Sequence, residues 1–263
     1  MIDIYNNKII HTWKPDIDKI LSHSKIPGNL KDVVYLNGNN LKKYQMSHPL
    51  LLKNGDLLIH GLGAPLTKID ICSKEIWSLD YSFHHSTEKD DNGFWIPFIF
   101  YPSSVDHGMD EKLWNNEKNF HDDGIMQVSG NGDILFKKSI IQMFIDNNLG
   151  HLVGGGREAT YDPIHLNDIQ PVLSNGKYFK KGDVFLSLRN LSMIVLYRPD
   201  ENKIIWHKQF PWVQQHDVDI LNDHQISIYN NNRFIFNFDK SYKKNNSNLL
   251  IYDFRNDEVL NPY

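Results

Sequence analysis

The sequence predicts an all-β protein of β-propeller type, and three observations carry that expectation. Turn signals recur at Asn54-Gly55-Asp56, Asn92-Gly93, Gly130-Asn131-Gly132-Asp133, Lys181-Gly182-Asp183 and Asn222-Asp223-His224. With residues 55, 93, 132, 182 and 223 as anchors, the spacings are 38, 39, 50 and 41 residues, close to the ~40-residue period of a propeller blade. Each turn is followed by a run rich in β-branched and aromatic residues: 57–62, 94–101, 134–145, 184–189 and 225–230. Alternation and composition read all five as strands. A second motif, an apolar strand, a turn and a further strand, repeats at 2–13, 68–77, 194–206 and 249–259 and supplies the outer half of each unit.

In chain order, the hairpin at 2–13 opens the chain with no inner strands before it. In a closed ring it would complete a blade begun by the C-terminus and so hide both sheet edges. The chain ends at Tyr263 before such strands. About five inner repeats plus this hairpin therefore predict a six-bladed propeller of four-stranded antiparallel blades with part of one blade missing. Such a chain is a fragment, or its ring is open or differently closed. The long spacing of 50 residues holds the insertion LGHLVGGGRE. Short helices are expected at 15–24 and 110–120. With no linker-like segment between repeats, residues 1–263 read as one domain.

Composition narrows the function classes. Hydrophobic residues make up 40% and charged residues 23% of the chain, as in ordinary folded domains. A net charge of −4 with only Lys-Lys pairs at 42–43, 137–138, 180–181 and 243–244 argues against nucleic-acid binding, which needs clustered cations. The single cysteine, Cys72, excludes an internal disulfide framework and a multi-thiolate metal site. Its strand-like surroundings predict a buried thiol. No apolar run approaches the ~20 residues of a membrane span, and no signal-peptide pattern opens the chain.

A histidine stands upstream of each turn: His48, the pair His84-His85, His121, His165 and His216. Equivalent residues of radially arranged repeats share radius and height, so several of these rings are expected to meet at one mouth of a central channel. His48 and His121 also suit a plainer role as turn or channel hydrogen-bonders. The segment 165–217 is densest in polar groups, with His165, Asn167, Arg189 and His216 at predicted strand ends. Arg189 could instead pair with Asp168 or Asp183, and Asn167 could be a turn former beside Asp168. Gly154-Gly155-Gly156 lacks the strand–loop–helix context of a phosphate loop and reads as a flexible loop, with Arg157 beside it.

The combination of His165-x-Asn167, then 182–206, then QQHDVDIL at 214–221 resembles the bacterial arylsulfotransferases, and the hairpin 2–13 and the pair His84-His85 fit the same pattern. The likeness covers most of 1–259 and is strongest over 160–232. It implies a six-bladed propeller that moves a sulfuryl group from an aryl sulfate donor to a phenolic acceptor, with no cofactor and no nucleotide sulfate. By the same resemblance, His216 is the transiently sulfated nucleophile. His165, Asn167 and Arg189 join it, together with His84 or His85, and a periplasmic or extracellular setting follows. Larger members carry an N-terminal domain and a disulfide that this chain lacks.

These residue types suit that chemistry. Arg189 offers a planar fork to oxyanions, Asn167 an amide donor, and a neutral imidazole at His216 can both attack and leave. His165 could protonate the departing phenolate. Asp217, next to His216 on an extended strand, points the other way. Two other functions compete: a non-catalytic propeller that binds ligands or partners, with an open ring edge that would admit another chain or a homo-oligomer, and a metal-dependent hydrolase using channel histidines. The arginine would repel a cation in the latter.

Overall fold

At three of the five turn anchors the glycine does what its missing Cβ allows. Gly55, Gly132 and Gly182 have φ of 87°, 91° and 92°, a region L side chains rarely enter. Gly93 is needed for another reason, since a Cβ there would lie 2.0 Å from the Val128 carbonyl oxygen on the paired strand. The molecule is represented by a computed structural model that describes residues 1–22, 24–26, 34–35, 42–105, 120–154, 161–233 and 246–262. The predicted helix at 110–120 except its last residue, Phe120, the residues Gly155, Gly156 and Arg157, and Lys243-Lys244 lie outside them. The described residues fall into two compact units, Met1–Phe83 and His84–Tyr263.

The first unit opens with the expected hairpin, β1 (Ile2–Asp3) and β2 (Lys8–Ile9). Its turn is held by side chains: Asp3 Oδ1 accepts from Tyr5 N at 2.9 Å and Asn6 Oδ1 from Lys8 N at 3.1 Å. The helix α1 (Ile17–Ser22) is shorter than 15–24 and starts where Asp16 accepts from Lys19 N at 3.0 Å. It packs Ile17 and Ile20 on Leu57, Ile59 and Ile69. After the two-residue pair β3 (Val34–Tyr35) and β4 (Lys42–Lys43), the strands β5 (Met46–Leu51), β6 (Leu57–Gly61), β7 (Ala64–Ile69) and β8 (Glu75–Phe83) form an antiparallel meander. Cys72 corrects the prediction: it is exposed in the β7–β8 turn. There Asp70 accepts from Lys74 N at 2.8 Å and Ser73 adopts φ 70°, so the chain reverses where a continuous strand was expected.

The second unit repeats the four-strand meander three times. The first contains β9 (Glu88–Lys89), β10 (Gly93–Phe100), β11 (Asp122–Ser129) and β12 (Ile134–Ser139). The run 134–145, read as one strand, divides at Ser139 into β12 and the helix α2 (Ile140–Asp146). Ser139 caps the helix by accepting from Gln142 N, and Ile140, Met143 and Phe144 recur at helical spacing on the buried face. A short helix α3 (Gly150–Gly154) follows. The next sheet contains β13 (Leu166–Pro171), β14 (Val184–Leu188), β15 (Met193–Arg198) and β16 (Lys203–Gln209), and the last β17 (Val218–Ile220), β18 (Gln225–Asn230), β19 (Asn248–Asp253) and β20 (Glu258–Leu260).

The β13–β16 sheet is apolar on both faces, which is why its strands read as unbroken hydrophobic runs. Val184, Leu186, Leu188, Met193, Val195 and Tyr197 join the core under α2, whereas Phe185, Ile194 and Leu196 face Ile226, Ile228 and Tyr252. That is strand periodicity with two partners. The molecule is thus an all-β protein of repeated four-stranded antiparallel sheets with few helices.

Candidate active site

The predicted histidines mark the same place in successive sheets of the second unit. His84-His85 precede β9, His165 directly precedes β13, and His216 stands just before β17. The backbone at the two later positions is tied to the adjoining strand end: Arg189 N donates to the His165 carbonyl at 3.1 Å, and His216 N to the Tyr229 carbonyl at 2.9 Å. His85, His165 and Gln214 have φ of 60°, 53° and 50°. Non-glycine residues persist in this region only where their surroundings hold them, and they gather at functional sites.

Side chains also staple neighbouring sheets together. Asp123 Oδ2 on β11 accepts from Leu166 N at 2.7 Å, and Ser86 Oγ from Ile169 N at 3.2 Å. Asn167 Nδ2 donates to the Gln215 carbonyl at 2.9 Å, and Asp168 Oδ2 accepts from Val218 N at 3.1 Å. Asn167 is therefore neither a turn former nor an uncommitted donor. One amide hydrogen holds the loop before His216, and its Oδ1 is buried without a partner among the described residues.

Three rings meet. His85 lies 5.1 Å from His165 and 6.3 Å from His216, centroid to centroid. His84, only 6% exposed, stands behind, with its Nδ1 2.8 Å from His85 Nδ1 and its Nε2 3.5 Å from Asp123 Oδ1. The geometry thus separates a pair that sequence left equivalent: His85 faces the other two histidines and His84 supports it. His165 Nδ1 is 2.5 Å from Asp162 Oδ2, and His216 Nδ1 is 2.8 Å from Asn231 Nδ2.

Arg189 closes the group. Its guanidinium donates to Asn190 Oδ1 at 2.8 Å and Gln214 Oε1 at 3.2 Å. Neither suggested carboxylate takes it: Asp183 is held by Arg198 at 2.7 and 3.0 Å, and Asp168 holds Val218. Among the described residues Arg189 has no ion pair. Burial lowers its proton affinity, Asp162 opposes that, and Arg233 adds to it. Burial, then the charges of Arg189 and His165, push His216 below the ordinary histidine value, against a smaller opposing effect of the Gln214 carbonyl. Burial alone would raise the Asp162 carboxyl, but the His165 hydrogen bond and the charges of His165, His121 and His84 hold it below the usual range.

Asp217 is not among the groups acting on His216 and belongs to a different set. Burial and then the charges of Asp217 and Asp219 push Glu88 up to about 7, and burial with Asp217 and Glu88 pushes Asp168 well above the carboxylate range. A carboxyl raised in the folded state stabilises it fully below its unfolded value of 4.5, and that contribution is lost as pH rises through about 7. Glu88→Gln is accordingly expected to match wild type in thermal stability near pH 4.5 and to exceed it at pH 8. The gain is on the order of 1 kcal/mol after discounting residual solvent contact, read as the difference in Tm between the two pH values.

Of the other predicted histidines, His48 is exposed on β5 in the first unit. His121 donates its backbone N–H to the Tyr161 carbonyl at 2.7 Å and sets its ring edge-on to Tyr161 at 5.6 Å. Asp162, Asn231, Gln214 and Asp123 were not singled out from sequence. The repeat held one usable signal: Asn231 follows β18 as Arg189 follows β14. A cavity of about 330 Å³ lined by Val172, Phe179, Ile220 and Leu221 lies at the opposite ends of β13 and β17, with no histidine or arginine in its wall. Among the described residues, no group of three or more His, Cys, Asp or Glu side chains is arranged to hold a metal ion, and no helix is long and apolar enough to cross a membrane.

Repeated four-stranded sheets that bring three imidazoles and a guanidinium together define an all-β protein with a histidine-rich candidate site. The arylsulfotransferase (ASST) family profile matches residues 48–262, and the chain belongs to that family. No curated protein matches it. It is similar to a crystal structure of a protein of unknown function from Bacteroides caccae, at 12% identity and a TM-score of 0.44. The match covers 82% of this chain and 65% of that one, so the chain spans less than two thirds of that protein's length.

Proposed function

We propose that this protein is an arylsulfotransferase-like enzyme on the six-bladed propeller that the repeat predicts. It moves a sulfuryl group from a phenolic sulfate ester to a phenol through a sulfated His216, without a nucleotide donor. The observation that carries this reading is the meeting of His85, His165 and His216 beside an Arg189 that has no ion pair among the described residues. A scaffold has no use for a guanidinium without an ion pair among the described residues next to a histidine whose proton affinity burial lowers, whereas a sulfate ester would supply a negative charge there.

In the first half-reaction the His216 lone pair attacks sulfur, the S–O bond to the aryl group breaks, and the departing oxygen takes a proton from His165. In the second, the acceptor phenol gives its proton to His165, its oxygen attacks sulfur, and the S–N bond to His216 breaks. Arg189 holds the sulfuryl oxygens through both steps. Fixed donors aimed at developing oxyanion charge are among the largest catalytic contributions, and a positioned proton carrier is worth roughly 10²–10⁴ in rate. His216 lies below the ordinary histidine value, so the attacking form predominates at neutral pH.

The test is transfer from p-nitrophenyl sulfate to phenol, followed as nitrophenolate release. Release that depends on the acceptor phenol is expected. Hydrolysis indifferent to the acceptor, or no turnover by folded protein, would remove the reading.

A further inference from the structure

The three central histidines are each engaged through Nδ1, but by different chemistry. A carboxylate, Asp162, meets His165 at 2.5 Å. A carboxamide, Asn231, meets His216 at 2.8 Å. Asp162 is further locked to the arginine: its carbonyl accepts from Asn190 Nδ2 at 2.7 Å, and Asn190 Oδ1 accepts from Arg189 at 2.8 Å. Asn231 extends from the residue after β18, whose Asn230 side chain accepts from Val213 N at 2.7 Å in the segment leading to His216.

The two anchors impose different demands. A carboxylate only accepts, so it keeps the proton on His165 Nδ1, leaves Nε2 as the exchanging nitrogen, and gives the imidazolium a counter-charge when Nε2 is protonated. A carboxamide carries no charge and can present either its NH2 or, turned over, its oxygen. The contact runs through Nδ2; with the amide turned over, its oxygen accepts from Nδ1–H and Nε2 of His216 holds the lone pair. After attack the sulfated ring is an imidazolium with an uncharged carboxamide, not a carboxylate, at Nδ1, which keeps it a good leaving group.

We propose that the group set against each Nδ1 assigns the roles: the Asp162 carboxylate makes His165 the proton carrier, and the Asn231 carboxamide makes His216 a nucleophile that can also leave. Both are positioning residues, and the inference rests on the arylsulfotransferase reading. The charged and titratable groups facing His216 are Arg189, His165 and His85, and those facing Asp162 are His165, His121, His84 and Arg189. Arg233 acts on Arg189 from the segment after β18.

Two exchanges in this chain test it. Asn231→Asp places a negative charge beside His216. Its acid limb in kcat/KM should move up by about one pH unit or more. Nitrophenolate should be released in a burst of about one per chain, with sulfated His216 accumulating in the peptide digest, because a more basic imidazole attacks well and leaves poorly. Asp162→Asn should lower kcat about 10²-fold or more without a burst, and Asp162→Glu should restore part of it. Wild-type kinetics and an unmoved acid limb in Asn231→Asp would overturn the assignment, as would a burst in Asp162→Asn.

Imidazole ¹⁵N spectra separate failure of this inference from failure of the sulfotransferase reading, because they need no turnover. His165 is expected as the Nδ1–H tautomer in wild type and as a tautomer mixture in Asp162→Asn. Unchanged signals would overturn the anchor role even in an active enzyme.

Discussion

His216→Ala is expected to lower acceptor-dependent release of nitrophenolate from p-nitrophenyl sulfate by about 10⁴-fold or more, since loss of a covalent nucleophile removes both half-reactions together. The variant should fold, because His216 is only half-buried and its backbone N–H bond to the Tyr229 carbonyl at 2.9 Å does not need the side chain. Unchanged circular dichroism with lost transfer is the diagnostic pair. Transfer that survives at wild-type rate would take the nucleophile's role from His216 while leaving the enzyme class standing. The wild-type pH profile has a signed expectation. Since burial, Arg189 and His165 depress His216, the acid limb of kcat/KM lies below the ordinary histidine value of about 6.5.

Arg189 carries the second large effect. Arg189→Ala should cost about 10²–10³-fold in kcat. Arg189→Lys should recover little, because an ammonium cannot reproduce two parallel N–H bonds from a planar fork. The loss should fall on kcat more than on KM if the guanidinium acts where charge develops. A second readout follows from the field: without the Arg189 charge, His216 regains proton affinity, so the acid limb should move up in Arg189→Ala. A rise in KM alone with an unmoved limb would reduce Arg189 to simple binding.

Much of the candidate site was legible because it is periodic. Turn glycines at positive φ, a histidine before the first strand of each repeat, and Arg189 after a strand are local features at recurring positions. The same reasoning failed where two patterns share one composition. In 134–145 the apolar residues fit a strand until Ser139 captures the Gln142 N–H and turns the rest into helix. Around Cys72, Asp70 closes a turn inside a run that alternates like a strand.

By itself the sequence determined the all-β class, the repeated sheets and the histidines and arginine that the repeats present at their strand ends, because strand periodicity and turn chemistry act over a few residues. Only the tertiary structure decided which of His84 and His85 faces the other rings, that Asp183 belongs to Arg198 and not to Arg189, and which group holds each imidazole. Those outcomes depend on meetings such as the Asp123 side chain with the Leu166 N–H, or the Asn167 side chain with the Gln215 carbonyl, between residues dozens of positions apart that come together only when separate sheets pack. No local preference encodes such a meeting, and the buried hydrogen bonds that result then choose the partners.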